Sequence, residues 1–280
     1  MPTTWKSALL TRRAVLPIAC LALAALFTIA ARGSAASAPA SAAHRPTIVL
    51  VHGDWADGSS WSKVIPRLQG RGFTVVAPPN LLRGPVTDGA YLSDYLHSIT
   101  GPIVLVAHSY GGFVITNAAR GNPNVKALVY IDSFLPARGE TAGALTAAGG
   151  SCVDQSALNP VPYHGGVDLY LRKDANPPYK GYDKCFANGV PQKEADLLFA
   201  TQRPAAVTQF TEASGRPAWK QIPSWALIGT RDHVIPPPLQ TEMATRAGSH
   251  IRRIRAGHLS LITNPRAVTR MILAAVNATR

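Results

Sequence analysis

A serine at a strand-to-helix junction, with an acid and a histidine further along the chain, is the set of residue types that attacks carbonyl carbon. Ala107-His108-Ser109-Tyr110-Gly111 follows the apolar run Ile103-Val104-Leu105-Val106 and precedes a helical pattern. A turn this tight needs very small neighbours, and Ala107 and Gly111 supply them. It lifts the Ser109 hydroxyl clear of the sheet, at a helix N-terminus where unpaired N–H groups and the dipole favour negative charge. A serine hydroxyl is a weak nucleophile until a base takes its proton. Gly229-Thr230-Arg231-Asp232-His233 and Ala256-Gly257-His258-Leu259-Ser260 each follow a strand-like run. The chain order serine, acid, histidine is the one in which such a triad assembles on a parallel sheet. His258 is expected to take the proton, and Asp232 to fix its orientation and tautomer. Asp132, after Val129-Tyr130-Ile131, is a competing acid.

A tetrahedral intermediate also needs hydrogen-bond donors for its oxyanion. The backbone N–H of Tyr110 is one. The N–H of Asp54, in the turn His52-Gly53-Asp54-Trp55, is the expected second. An anionic Asp54 side chain would work against an oxyanion, so it must point away. His52 is read as a residue that orders the Gly53 loop by hydrogen bonds. No cluster of Cys, His and carboxylates has metal-ligand spacing, and no glycine-rich phosphate loop is present, so neither metal nor cofactor is expected.

The elements that must position these residues are legible as alternating apolar runs and helical patterns. Residues 47–51, 73–77, 103–107 and 127–131 are near-continuous apolar runs, as expected of strands buried on both faces of a parallel sheet. Helices are expected at 60–68, 89–99 and 112–119 between them, implying right-handed βαβ units. The alternation stops over residues 134–221, which show no clear strand. Helices are expected there at 141–147, 167–172 and 192–200. It resumes with a strand at 224–228, a helix near 239–247, a strand at 250–255 and a helix near 265–278.

His52-Gly53-Asp54-Trp55, Asp57-Gly58-Ser59-Ser60-Trp61 and Ala107-His108-Ser109-Tyr110-Gly111-Gly112 together resemble the α/β-hydrolase superfamily. Within it the chain is similar to the small esterases that include plant methylesterases, hydroxynitrile lyases and bacterial carboxylesterases. The resemblance covers roughly residues 46–135 and 222–279. It implies an α/β-hydrolase fold, a sheet of six mostly parallel strands flanked by helices, and a mainly helical cap inserted at 134–221. The core would be 43–133 and 222–280. It also implies Ser109, Asp232 and His258 as triad, Asp54 and Tyr110 as oxyanion donors, and a secreted serine hydrolase of carboxylic esters. Phe134, Leu135, Leus 169, 197 and 198, Tyr170 and Phe199 would offer the cap's apolar surface. Alternatives on the same fold are a slow or non-hydrolytic ligand-binding protein, a lyase and a cofactor-independent oxygenase.

Composition narrows the rest. The chain has 280 residues, 46% hydrophobic, which excludes disorder, and three cysteines, too few for a disulfide-dense scaffold. The net charge is +13; without Lys6, Arg12, Arg13 and Arg32 of the first 43 residues it is +9, scattered and not interleaved with aromatics. Nucleic acid is therefore not an expected partner; a small-molecule ester is. Residues 14–31 are apolar, follow Arg12 and Arg13, and precede Ala40-Ser41-Ala42. This is the layout of a signal peptide over 1–42, possibly of the twin-arginine type, leaving no stable membrane anchor after cleavage. An exported chain meets an oxidising compartment, so Cys152 and Cys185 are expected to pair. Oligomeric state is left open.

Overall fold

The computed structural model describes residues 45–174 and 181–279. The expected signal peptide and its cleavage site lie outside them. The elements run in chain order as follows. β1 (Thr47–Val51) leads through a 3₁₀ turn (Gly58–Trp61) and α1 (Ile65–Gln69) to β2 (Val75–Val76). Then come α2 (Pro85–His97), β3 (Ile103–Ser109), α3 (Gly111–Ala118) and β4 (Val125–Ser133). The middle stretch holds α4 (Ala142–Gly149), β5 (Leu158–Tyr163), β6 (Gly166–Leu171), a π-helical turn (Tyr182–Phe186), α5 (Gln192–Ala200), β7 (Ala205–Ala206) and α6 (Thr208–Thr211). The chain ends with β8 (Ser224–Gly229), α7 (Pro237–Arg246), β9 (His250–Ile254), α8 (Ser260–Thr263) and α9 (Pro265–Ala278).

The six-stranded sheet has the order β2-β1-β3-β4-β8-β9 with every pair parallel, as the sequence led us to expect. Parallel strands joined by helical crossovers are covered on both faces, and their composition follows. All of β3 is buried, and all of β4 except Lys126. β9 is the edge strand; His250, Arg252 and Arg253 on it are exposed. Parallel order also brings the C-terminal ends of β1, β3, β4, β8 and β9 to one edge, where Gly53, Ser109, Asp132, Asp232 and His258 follow.

Two local expectations are corrected. The helix expected over 60–68 is broken in two: Asp57 caps the 3₁₀ turn by accepting Ser59 N–H at 2.7 Å, and α1 starts anew with Pro66 in its first turn. Residues 134–221 contain strands where none was expected, and the helix expected over 167–172 is β6. The reason is long-range pairing overriding local preference. Gly165, at φ +100°, turns the chain so that β6 pairs antiparallel with β5, Tyr163 opposite Gly166 and Leu158 opposite Leu171. Pro160 and Pro162 lie on β5, at the edge of this small sheet, where proline is tolerated. Helical turns still make up most of the regular structure of this stretch.

Candidate active site

Ser109 sits at φ +53°, in the left-handed region that a non-glycine residue occupies only when its surroundings impose it. They do. A Cβ on Gly53 would stand 2.6 Å from Ser109 Cβ, and one on Gly112 would stand 2.0 Å from the Phe134 carbonyl oxygen. The turn is closed by glycine on both sides, and the Ser133 hydroxyl donates to the Ser109 carbonyl at 2.7 Å.

The structure brings the three candidate triad residues into one hydrogen-bonded chain. Ser109 Oγ lies 2.9 Å from His258 Nε2, and His258 Nδ1 lies 2.8 Å from Asp232 Oδ2. Asp232 accepts three further N–H bonds: from Val234 (2.8 Å) and Ile235 (3.0 Å) at Oδ1, and from Gln240 Nε2 (2.8 Å) at Oδ2. Burial pushes this carboxyl upward, but four donors fill both oxygens and leave a carboxylic proton nothing to bond to. We therefore read Asp232 as a carboxylate. It fixes the proton on Nδ1 and leaves Nε2 as the acceptor facing Ser109. Burial pulls His258 below the usual histidine value, which keeps the ring neutral and able to accept a proton.

Asp132, the competing acid, is held elsewhere. Its oxygens accept N–H bonds from Gly229 (2.7 Å) and Ser260 (3.3 Å). Burial and then the charge of Asp232 raise it well above the carboxylate range, so of the two acids Asp132 carries the proton.

Among the described residues no turn, loop or cap backbone hydrogen bond is made by the N–H groups of Asp54 and Tyr110; Tyr110 follows Ser109 in the chain, and Gly53, just before Asp54, lies against Ser109. The loop carrying Asp54 is fixed by His52, as the sequence suggested. His52 Nε2 accepts Asn80 N–H at 3.1 Å, which puts its proton on Nδ1, and Nδ1 donates to the Gly53 carbonyl at 2.9 Å. Asp54 itself is 6% exposed and its Oδ1 has no partner. Burial, then the neighbouring Asp88, raise its carboxyl well above the usual range. That shift favours the neutral acid, which eases the conflict between an anionic side chain and an oxyanion.

Several residues at the site carry no sequence signal. His108 donates from Nε2 to the His258 carbonyl (2.9 Å), its ring 4.6 Å from that of His258. Asn188 accepts His258 N–H (3.2 Å) and donates to the Arg231 carbonyl (2.7 Å), bridging the acid and histidine loops. Gly257 must be glycine for this, since its Cβ would stand 2.2 Å from Asn188 Oδ1. Phe186 places its ring 5.4 Å from His258 and 5.7 Å from Trp55, whose indole N–H reaches the Leu169 carbonyl at 2.9 Å. Of the apolar residues expected to form the cap surface, Leu197 is 63% exposed and Phe134 packs against Phe113 of the core. Phe186, from the π-helical turn, stands beside His258. Gln240 on α7, which donates to Asp232, likewise carries no sequence signal.

Cys152 and Cys185 are joined by a disulfide within the middle stretch. Among the described residues no group of His, Cys, Asp and Glu could hold a metal ion, and no helix is long and apolar enough to cross a membrane.

The profile of the alpha/beta hydrolase family matches residues 48–271. The chain is 36% identical over 110 residues to the carbendazim hydrolyzing esterase of Nocardioides sp. (strain SG-4G), covering 35% of this chain and 46% of that protein. It is 34% identical over 107 residues to the pyrethroid hydrolase of Sphingobium wenxiniae, covering 34% of this chain and 38% of the other. These matches thus span less than half the length of the curated relatives. Among solved structures, the methylesterase MES16 of Arabidopsis superimposes with a TM-score of 0.68 at 16% identity, covering 83% of this chain and 99% of that one.

Proposed function

The chain belongs to the alpha/beta hydrolase family, and from that premise we propose that it is a serine hydrolase of carboxylic esters. The observation that carries the reading is the unbroken chain from Ser109 Oγ through His258 to the four-donor Asp232 carboxylate. In this reading His258 Nε2 takes the Ser109 proton while Oγ bonds to the ester carbonyl carbon. The N–H groups of Asp54 and Tyr110 stabilise the oxyanion, an interaction whose loss typically costs roughly 10²–10³ in rate. Collapse breaks the ester C–O bond, and the leaving alcohol receives the proton from His258. Water, deprotonated by His258, then releases the acid from the acyl-enzyme. No metal or cofactor enters any step.

Residues 43–133 and 222–280 act in this reading as the catalytic core and 134–221 as a cap that selects the substrate. Phe186, its ring tilted 5.4 Å from that of His258, offers it an apolar wall. Esters with an apolar portion suit such a wall, and the two curated relatives are named a carbendazim hydrolyzing esterase and a pyrethroid hydrolase. We further read the protein as exported, with residues 1–42 removed as a signal peptide; the Cys152–Cys185 disulfide agrees with an oxidising destination. The test is initial rates on p-nitrophenyl esters of rising acyl length, for the mature chain beside Ser109→Ala. Saturable turnover abolished in the variant is expected; equal rates for the two would overturn the proposal.

A further inference from the structure

The face where the edge strand β9 meets helix α9 carries more positive charge than anything near it balances. Arg252 on β9 and Arg270 on α9 rim a cavity of about 400 Å³ whose lining includes Leu227, Ile254 and Met271, while the guanidinium of Arg253, the next residue of the strand, goes to Thr241 on α7. A second cavity, of about 380 Å³, shares Arg270 with the first and adds Arg67 and Arg266. Ion pairs elsewhere on the surface are made, as Lys63–Glu194, Arg83–Asp168, Lys173–Asp196 and Arg246–Glu140 are. Among the described residues none of these five arginines has a carboxylate partner. Arg253 makes one bond, to the Thr241 hydroxyl at 3.2 Å, and the Nε of Arg67 is buried with no acceptor at all. Nor does the chain outside the described residues offer carboxylate side chains: 1–44, 175–180 and Arg280 contain no Asp or Glu.

Guanidinium is the group best shaped to grip a multi-oxygen anion, because its planar fork donates in pairs. A groove lined by more than one arginine suits a phosphate better than a singly charged carboxylate. The buried Leu227 and Met271 give the groove an apolar floor, which a bare ion would not use. We propose that this groove is a binding site for an amphiphile with a phosphate head and a hydrocarbon body, separate from the Ser109 site and independent of its chemistry. The competing account is that Arg252 and Arg253 only guard a free sheet edge against pairing with another chain. That account predicts aggregation when they are removed and no ligand.

Octyl phosphate below its micellar concentration, titrated calorimetrically into the full-length protein after export, tests the proposal. Saturable binding is expected, at least about tenfold tighter than inorganic phosphate and weakening as salt is raised. Arg252→Gln/Arg270→Gln should weaken it about tenfold or more with ester turnover unchanged. Arg270→Gln alone leaves the edge strand intact and carries the same test should the double variant aggregate. Co-sedimentation with phosphatidylglycerol vesicles but not phosphatidylcholine vesicles, lost in the same variants, would identify the source as a lipid surface. Octyl phosphate binding without vesicle binding would identify a free phosphate ester. Absence of saturable octyl phosphate binding, or equal binding by wild type and Arg270→Gln, would overturn the proposal.

Discussion

The C-terminal edge of the main sheet and the 134–221 stretch are built on opposite plans. At the sheet edge the candidate catalytic side chains stand at or just after the ends of β3, β8 and β9 and are themselves buried. Ser109 is 3% exposed, Asp232 1% and His258 0%, and the oxygens of Asp232 are fully used. In the 134–221 stretch the strands pair in a small sheet whose outer strand β5 is largely exposed, and Lys173–Asp196 is a surface ion pair. Such pairs contribute roughly 0–1 kcal/mol. A disulfide supplies the constraint that packing does not. The difference teaches where precision is spent: proton transfer needs groups held to fractions of an ångström, and buried, hydrogen-bonded strand-end loops hold them so. Selection of a substrate tolerates looser walls.

The sharpest way to break this contrast is at the sheet edge. Ser109→Ala should lower kcat by roughly 10⁴-fold or more while the melting temperature stays near that of the wild type. The two acids at neighbouring strand ends come next. Asp232→Asn should cost on the order of 10⁴ in kcat, because the amide can present the wrong tautomer to His258. Removing the carboxylate also stops it favouring the imidazolium, so the acid limb of kcat/KM should move to lower pH. Asp132→Asn should cost less than about tenfold, since its proton-bearing carboxyl bonds to Gly229 and Ser260, not to the ring. Equal losses in the two variants would erase the distinction drawn between them.

Smaller effects sharpen the boundary between the regions. Asp54 is raised by burial and by Asp88, so it loses its proton only as the pH rises, and the anion then opposes the oxyanion. Wild-type kcat/KM should therefore decline at alkaline pH, whereas Asp54→Asn should stay flat there and match the wild type within about threefold near neutrality. Cys152→Ser/Cys185→Ser should lower stability by about 3–4 kcal/mol on the loop-entropy account. The loss should appear first as proteolysis within 134–221, with the core surviving longer.

The same contrast decides what could be read in the sequence. The buried runs of β1, β3, β4 and β8 are spelled by near-continuous apolar residues, and the small-residue turn around Ser109 by Ala107, Gly111 and Gly112. Asp232 and His258 follow from their places after two such runs. Hydrophobic pattern failed where long-range pairing decides: β6 reads as a helix until β5 lies beside it. Asn188 and Phe186 reach His258 from an irregular stretch with no period to betray them. The upward shift of the Asp54 carboxyl arises from burial and from Asp88, which enters from α2 and accepts the Tyr110 hydroxyl at 2.8 Å, a proximity no local spacing encodes.

The most direct test of the central claim is covalent. The protein would be incubated with a fluorophosphonate at neutral pH, its intact mass recorded, and the labelled peptide sequenced. The account predicts one phosphonyl group per chain, carried by Ser109, absent from Ser109→Ala and formed far more slowly in Asp232→Asn. A wild-type protein that stays unlabelled while a reference serine esterase is modified, or a label on any other residue, would contradict it.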